Sequence, residues 1–428
     1  MGASGRGGPQ GLPHPGPRPA GASREPILRA AAVSAHEPRP RGRTRIAAVM
    51  REGERVTPLE LFFDLVFVLA LTQCTTLMAT AGGWEGLLKG ILVLGVLWWS
   101  WVGYAWLTSV VDPEEGAVRL VMFGAMGAFL TAALCVPGAF GHEATAFAVA
   151  YAVVRVAHIL LFLLASREDV ALRHSVVGLA LSTAIGSGLI LIASFTSGAL
   201  QLALWGTALV LDVGGPLVIE PAGWRLVPGH FAERHGAIVI IALGESIVAI
   251  GVGAHEHVDA GIVGAALIAL ADTACMWWAY FDVSAIVGGR FLERAEEGRE
   301  QNRIARDGYS YLHFPMVAGI ALLAVGVKRT LAHATAPLGI VPAFALLGGV
   351  ALFLLAQVAF RSRVMHSLSV RRLVAAFVLL AALGLRAQVS AIALLGISAG
   401  VLVALIGYEA LRYADVRDRV RHRVLGGA

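Results

Sequence analysis

The sequence predicts an all-α, polytopic membrane protein of about 12 transmembrane helices, arranged as two parallel six-helix repeats. Three observations point there. Hydrophobic residues make up 57% of the 428 and charged residues only 15%, with a mean hydropathy of +0.73, a balance that water-soluble domains do not keep. Apolar stretches of about 20 residues, enough to cross roughly 30 Å of hydrocarbon as helix, recur from residue 59 almost to the C-terminus. Finally, motifs in the first half of the chain recur in the second.

Residues 1–55 are rich in Pro, Gly and Arg, with no apolar period and no core for a signal peptide. They are expected to form a disordered, basic cytoplasmic tail. Runs bounded by Gly, Pro or charge then mark the spans. A first repeat over 56–219 holds spans at 59–80, 87–111, 118–140, 144–165, 175–194 and 199–219. A second repeat over 220–412 holds spans at 237–253, 261–283, 311–332, 339–360, 373–386 and 388–411. The eleventh is the shortest. Residues 413–428 form a second basic tail.

Orientation follows from the Lys and Arg residues. With twelve spans and a cytoplasmic N-terminus, all but five of the 34 fall on the cytoplasmic side; the exceptions are Lys89, Lys328, Arg329 and Arg386 at outer helix ends and Arg155 within a helix. Both termini are then cytoplasmic, in the plasma (inner) membrane. The net charge of +5 is absorbed by this bias and by anionic lipid, so no nucleic-acid partner is needed. The expected partners are the lipid bilayer and an unidentified small solute or ion, with homo-oligomerisation left open. Cys74, Cys135 and Cys275 lack metal-ligand spacing, and neither a metal nor a cofactor is expected.

The internal echo pairs VLWWSWVGY (96–104) in the second span with MWWAYFDV (276–283) in the eighth, setting Trp98 and Trp99 on Trp277 and Trp278. With Glu60 set on Glu233, Thr72-Gln73 falls on Glu245-Ser246. Six spans per copy give both copies one orientation, and hence a pseudo-two-fold axis along the membrane normal.

Several polar residues are costly in such helices. Thr57-Pro58-x-Glu60 has the grammar of a helix start, with Thr57 as N-cap and Glu60 closing a capping box. Asp64 lies one turn deeper among apolar neighbours and needs a partner or water, since an ionised Asp at mid-span costs about 2.5–3.5 kcal/mol. In HFAERHGAIVIIALGESIVAIG (230–251), His230, Glu233, Arg234 and His235 crowd the cytoplasmic entrance, while Glu245 lies about 18 Å beyond Glu233, near the bilayer centre. Arg155 and His158 share one face of the fourth span, and Arg155 is expected to pair with Glu245 or Asp212. Gln73, Ser246, Asp282 and His313 complete the candidate substrate or ion path. The cluster Trp98, Trp99, Trp101, Tyr104 and Trp106 is read as helix packing or an interfacial belt.

No Walker loop, dinucleotide fingerprint, HExxH or GxSxG elbow is present, so no catalytic residue is assigned. TPLELFFDLVFVLALTQ, HFAERHGAIVIIALGESIVAIG, WWAYFD and YLHFPMVAGIALLAVGVK closely resemble the bacterial low temperature requirement protein A (LtrA) family over residues 55–412. The family is named for a growth phenotype in the cold; the resemblance implies a polytopic plasma-membrane protein linked to that stress. Glu60-x-Phe62-x-Asp64-x-Val66-Phe67-x-x-Ala70-x-Thr72 is similar to the first helix of lysosomal-type potassium channels built from six-helix repeats. That likeness implies a pore lined by the first helix of each repeat, although Phe63 stands where those channels have serine. The expected function is a secondary transporter or permease. The alternatives are a cation channel lined by spans 1 and 7, and a membrane-embedded enzyme or scaffold.

Overall fold

The computed structural model describes Gly2 and residues 55–412 other than 115, 168, 219–223 and 254–258. Except for Gly2 and Arg55, both expected tails lie outside the described residues. Helix starts follow local chemistry. In α1 (Pro58–Ala81) the capping box forms in both directions, the Thr57 hydroxyl accepting from the Glu60 N–H and the Glu60 carboxylate from the Thr57 N–H. Asp169 caps α5 (Val170–Ala193) by accepting from the Leu172 N–H, and Asp259 caps α8 (Ala260–Phe281) by accepting from the Ile262 N–H. The rest of the first half comprises α2 (Gly83–Val110), α3 (Gly116–Cys135), α4 (Ala144–Ala165) and α6 (Gly198–Val218).

The second half departs from expectation at three places. Helix α7 (Pro228–Gly253) begins nine residues before the expected span. A proline at the first helical position loses no hydrogen bond and brings a fixed helical φ, and Pro228 occupies that position here. His230, Glu233, Arg234 and His235 therefore lie on the helix itself. After α8 come α9 (Ser284–Arg294) and α10 (Arg299–Ile304); a π-helical stretch, Ala305–Tyr311, then feeds α11 (His313–Ala332). Short α12 (Ile340–Ala343) and a second π stretch, Phe344–Gly348, lead into α13 (Gly349–Met365). The expected eleventh span is α14 (Val370–Ala382), 13 residues extended by the 3₁₀ turn Leu383–Leu385. At about 20 Å of α-helix it is too short to cross alone. With α15 (Ala391–Arg412), 11 membrane-crossing segments are long and apolar enough among the described residues.

Both halves use the same neighbour scheme. In each, the first helix packs on the second and third, the second on the fourth and sixth, the third on the fourth, the fourth on the fifth and the fifth on the sixth. In the second half these six positions are α7, α8 with α9, α11, α13, α14 and α15. The halves meet where α1 and α2 pack on α7 and α11. Helices α1 and α7 run parallel: their bonds join residues 170 to 177 apart, from Val56–Glu233 to Thr75–Glu245. Thr72 and Glu245, 173 apart, bond directly, at the offset that sets Glu60 on Glu233.

The paired tryptophans occupy unlike surroundings. Trp98 and Trp99 are 2% and 5% exposed, whereas Trp277 and Trp278 are 44% and 38% exposed. Helix α2 faces the other half, where the Trp98 indole donates to the Ser310 carbonyl at 2.9 Å; α8 packs chiefly on α7 and α15. Large exposed residues such as Leu120, Leu160, Leu181 and Val210 line the peripheral helices, as lipid contact requires.

Helices α11 and α13 approach most closely at glycine. A Cβ on Gly319 would stand 2.5 Å from the Gly349 carbonyl oxygen, and one on Gly349 2.6 Å from that of Gly319. Both neighbours are backbone and cannot move aside as a side chain would. Gly319→Ala is expected to cost about 1–3 kcal/mol, read as a lower melting temperature of the purified protein. Gly206→Ala, where an added methyl meets nothing within 4 Å, should leave that temperature unchanged or raise it.

Candidate functional site

Two polar clusters lie along the α1–α7 seam. At its N-terminal end, α1 presents Glu60 and Asp64 one turn apart, and α7 presents His230 and Arg234 with the same spacing. The four side chains are fully buried. Arg234 reaches Glu60 through Nη1 at 3.0 Å and Asp64 through Nη2 at 3.1 Å, and donates a further bond to the Thr108 hydroxyl. His230 contacts Glu60 through Nε2 at 2.8 Å and Ser109 through Nδ1 at 3.1 Å. The Trp101 indole donates to Asp64 Oδ1 at 2.7 Å, and the guanidinium lies 5.6 Å from the Trp101 ring and 5.9 Å from the Phe63 ring. Among these four groups, two carboxylates face one guanidinium and one imidazole.

The same geometry gives Glu60 a second role. One carboxylate oxygen closes the helix cap, with the Thr57 N–H at 2.8 Å, while the other holds Arg234 and His230. Cap chemistry alone had accounted for it.

Further along the seam, the buried Glu245 accepts from Thr72 at 2.5 Å and Thr75 at 2.6 Å, both on α1. Its cation is Lys328 of α11, 3.3 Å away, which also donates to Thr75 at 3.1 Å. Lys328 stands near the end of α11, and its long apolar stem lets the ammonium reach inward to Glu245. Ser246 is buried beside Glu245 with its hydroxyl unpartnered, and Gln73 is half-buried on α1.

A third cluster belongs to the first half. Arg155 pairs with Asp212 at 2.7 Å, with Thr183 also at 2.7 Å and Tyr151 3.2 Å from the other Asp212 oxygen. Of the two carboxylates expected for Arg155, Asp212 is the partner; Glu245 is held by α1 and α11 instead. One turn on, His158 is 1% exposed, with its ring against the Gly103 backbone and neither ring nitrogen in good hydrogen-bond geometry.

The remaining candidates are dispersed. Glu233 is exposed and accepts from the Val56 N–H at 3.3 Å, and Asp282 lies at the end of α8. His313 stacks on Tyr309, with ring centres 5.1 Å apart, and meets the Tyr280 hydroxyl at 2.7 Å. His235 completes that group, 5.3 Å from the His313 ring. Tyr280 and Tyr309 escaped sequence reasoning because tyrosine carries no depth penalty that marks it out. The tryptophan cluster is buried packing whose Trp98, Trp101 and Trp106 N–H groups bond across helices.

The family model described as bacterial low temperature requirement A protein (LtrA) matches residues 55–407. The chain belongs to the LtrA family. An uncharacterized protein of Rhizobium meliloti (strain 1021) is 32% identical to it over 285 residues, 64% of this chain and 69% of the relative. No solved structure matches it significantly. All three clusters fall inside the LtrA match.

Because the Arg155–Asp212 pair is almost fully buried, removing one partner strands the other's charge. Arg155→Ala is expected to lower stability by about 3–5 kcal/mol, whereas Arg155→Leu combined with Asp212→Leu recovers most of it. Denaturation of the three proteins in one detergent checks both statements.

Proposed function

We propose that this LtrA-family protein is a secondary transporter of the plasma membrane, with its path along the seam between α1 and α7. The two six-helix halves, read as divergent copies, rock about an axis along the membrane normal and expose the seam to each side in turn. The observation that carries this reading is the pair of buried ionic clusters at two depths of one seam between the halves. Intramembrane charges are costly and are kept mostly where a path or a moving contact needs them. The common neighbour scheme and the parallel register of α1 and α7 support the duplication.

In this reading Glu245 carries the coupling proton. Among the described residues, the charged or titratable groups facing it are Lys328 from α11 and the Cys74 thiol from α1, and Thr72 and Thr75 hold it in place whether or not Lys328 stays. A cation channel lined by α1 and α7 is the second reading, favoured by their adjacency at the centre. Ion pairs bridging the seam at two levels fit alternating access better than a standing pore.

Proteoliposome flux and current across a panel of ions, pH gradients and small metabolites test the choice. A carrier gives saturable, pH-dependent flux without single-channel steps. Glu245→Gln keeps the hydrogen-bonding shape but leaves the Lys328 ammonium without its carboxylate, so it is expected to lower stability by about 1–3 kcal/mol and to lose the pH dependence. Lower stability with unchanged pH dependence would make Glu245 structural. For orientation, single cysteines in a cysteine-free background should react with an impermeant reagent from outside at His142→Cys and only from inside at Ser367→Cys. The reverse pattern overturns the proposed topology.

A further inference from the structure

A narrow crevice runs between the halves beside the Arg155 cluster. Its walls include Trp99 and Trp106 of α2, Arg155 and His158 of α4, Trp224 ahead of α7, and Arg306 of the π-helical stretch. The space open to the centre of a water molecule is about 70 Å³, several times the 10–15 Å³ or so that a single water needs. Nothing in the ion-pair scheme of the seam uses this space.

Three features of the walls select a ligand. First, His158 is buried with neither ring nitrogen in good hydrogen-bond geometry, its ring lying against the Gly103 backbone and packed between the Tyr104 and Phe162 rings at 5.4 and 5.0 Å. A buried imidazole left this way loses water and gains at most a poorly aligned backbone contact, a shortfall that a bound group facing it would repair. Second, among the described residues the charged ones in the walls are Arg155 and Arg306, with no acidic side chain beside them. Arg155 is neutralised by Asp212, but its Nε–H is free of partners. Arg306 and Arg363 share the single carboxylate of Asp307, which leaves that trio one positive charge in excess. Third, the three tryptophans supply flat apolar walls: Trp99 stacks on Tyr311 at 5.4 Å, and Trp106 meets Trp224 edge-on at 5.6 Å.

The geometry points to a binding site for a small organic anion with a flat apolar body, an aromatic carboxylate. The carboxylate accepts hydrogen bonds from an N–H of His158 and from Arg155 Nε, with Arg306 supplying positive potential, while the ring lies against tryptophan. An uncharged ring leaves the cationic wall unanswered, and an aromatic amine adds a like charge. Because the walls come from both halves, the occupant touches both. This names a substrate class for the transport reading and rests on that reading only in calling the ligand a substrate.

The test uses the full-length protein in lipid nanodiscs and fluorine NMR of 4-fluorobenzoate, with 4-fluorobenzyl alcohol, 4-fluorobenzylamine and protein-free nanodiscs alongside. The expected result is line broadening for the carboxylate alone, reversed by excess benzoate. It should be abolished in Leu179→Trp, which fills the crevice from α5. In His158→Leu it should weaken by about tenfold or more, the loss expected for one hydrogen bond to a charged group. His158→Leu, the smaller change, keeps the test decisive if Leu179→Trp does not fold. Equal broadening by all three compounds, none displaceable by benzoate, or wild-type affinity in both variants overturns the site. Binding as expected without carrier-mediated flux of 4-fluorobenzoate supports the site and sinks the transport reading. Proton-coupled flux of other solutes without 4-fluorobenzoate binding sinks the site and leaves transport standing.

Discussion

Arg234 cannot shed its charge, and at complete burial it cannot reach water. The arrangement of the centre follows from that constraint. Its guanidinium takes Glu60 and Asp64 from α1 and the Thr108 hydroxyl from α2, and lies near two aromatic rings. One side chain of the second half thereby fixes the rotation of α1, its separation from α7, and the seat of α2 against both. A lysine would offer a point charge with no fork to span two carboxylates set one turn apart. The stiffness of the seam at this end rests on the planar shape of one group.

Much of this was legible in the sequence because hydrocarbon makes polarity expensive. The spans showed as apolar runs, and Thr57, Pro58 and Glu60 announced the first helix by their spacing. Asp64, Arg155, Asp212 and Glu245 stood out because each costs energy where it sits. Partners were harder to read, since pairing depends on which helices touch. Depth placed Glu245 and Asp212 equally well beside Arg155, and only the packing of α4 on the far helices of its own half decides for Asp212. The pairing of Lys328 was hidden for a related reason, because counting basic residues by loop ignores how far an ammonium travels along its stem.

The early start of α7 illustrates the same limit. A hydropathy window counts His230, Glu233, Arg234 and His235 as cost and pushes the span boundary past them, yet most of that cost is met by groups on α1 and α2. The π-helical stretch before α11 left no mark in the sequence either. Its extra residue per turn is tied to tertiary contacts: the Trp98 and Trp106 indoles bond to Ser310, and the His313 ring bonds back to the Gly308 carbonyl at 3.0 Å. Such insertions recur at functional sites because they turn side chains out of the helical register. Here the turn carries Arg306 and Ser310 toward the first half.

The two seam clusters also constrain any movement between the halves. Asp64 and Thr75 are eleven residues apart on one helix, about 16 Å along its axis. Because α1 and α7 are stiff over that length, a rigid slide would break both clusters together, at the cost of several unpaired charges in hydrocarbon. A tilt costs less. Pivoting α1 about its contacts with Glu245 by about 15° moves Asp64 by about 4 Å, enough to separate it from Arg234 while Thr72 and Thr75 keep their bonds. The opposite pivot, about Arg234, frees Glu245 from α1 but leaves it Lys328. Opening at the Glu245 end therefore exposes a pair that is still neutralised. Opening at the Arg234 end parts Glu60 and Asp64 from the Arg234 guanidinium, separating charges that are buried together in the closed seam. If the halves rock as proposed, the two ends of the seam therefore open at unequal electrostatic cost.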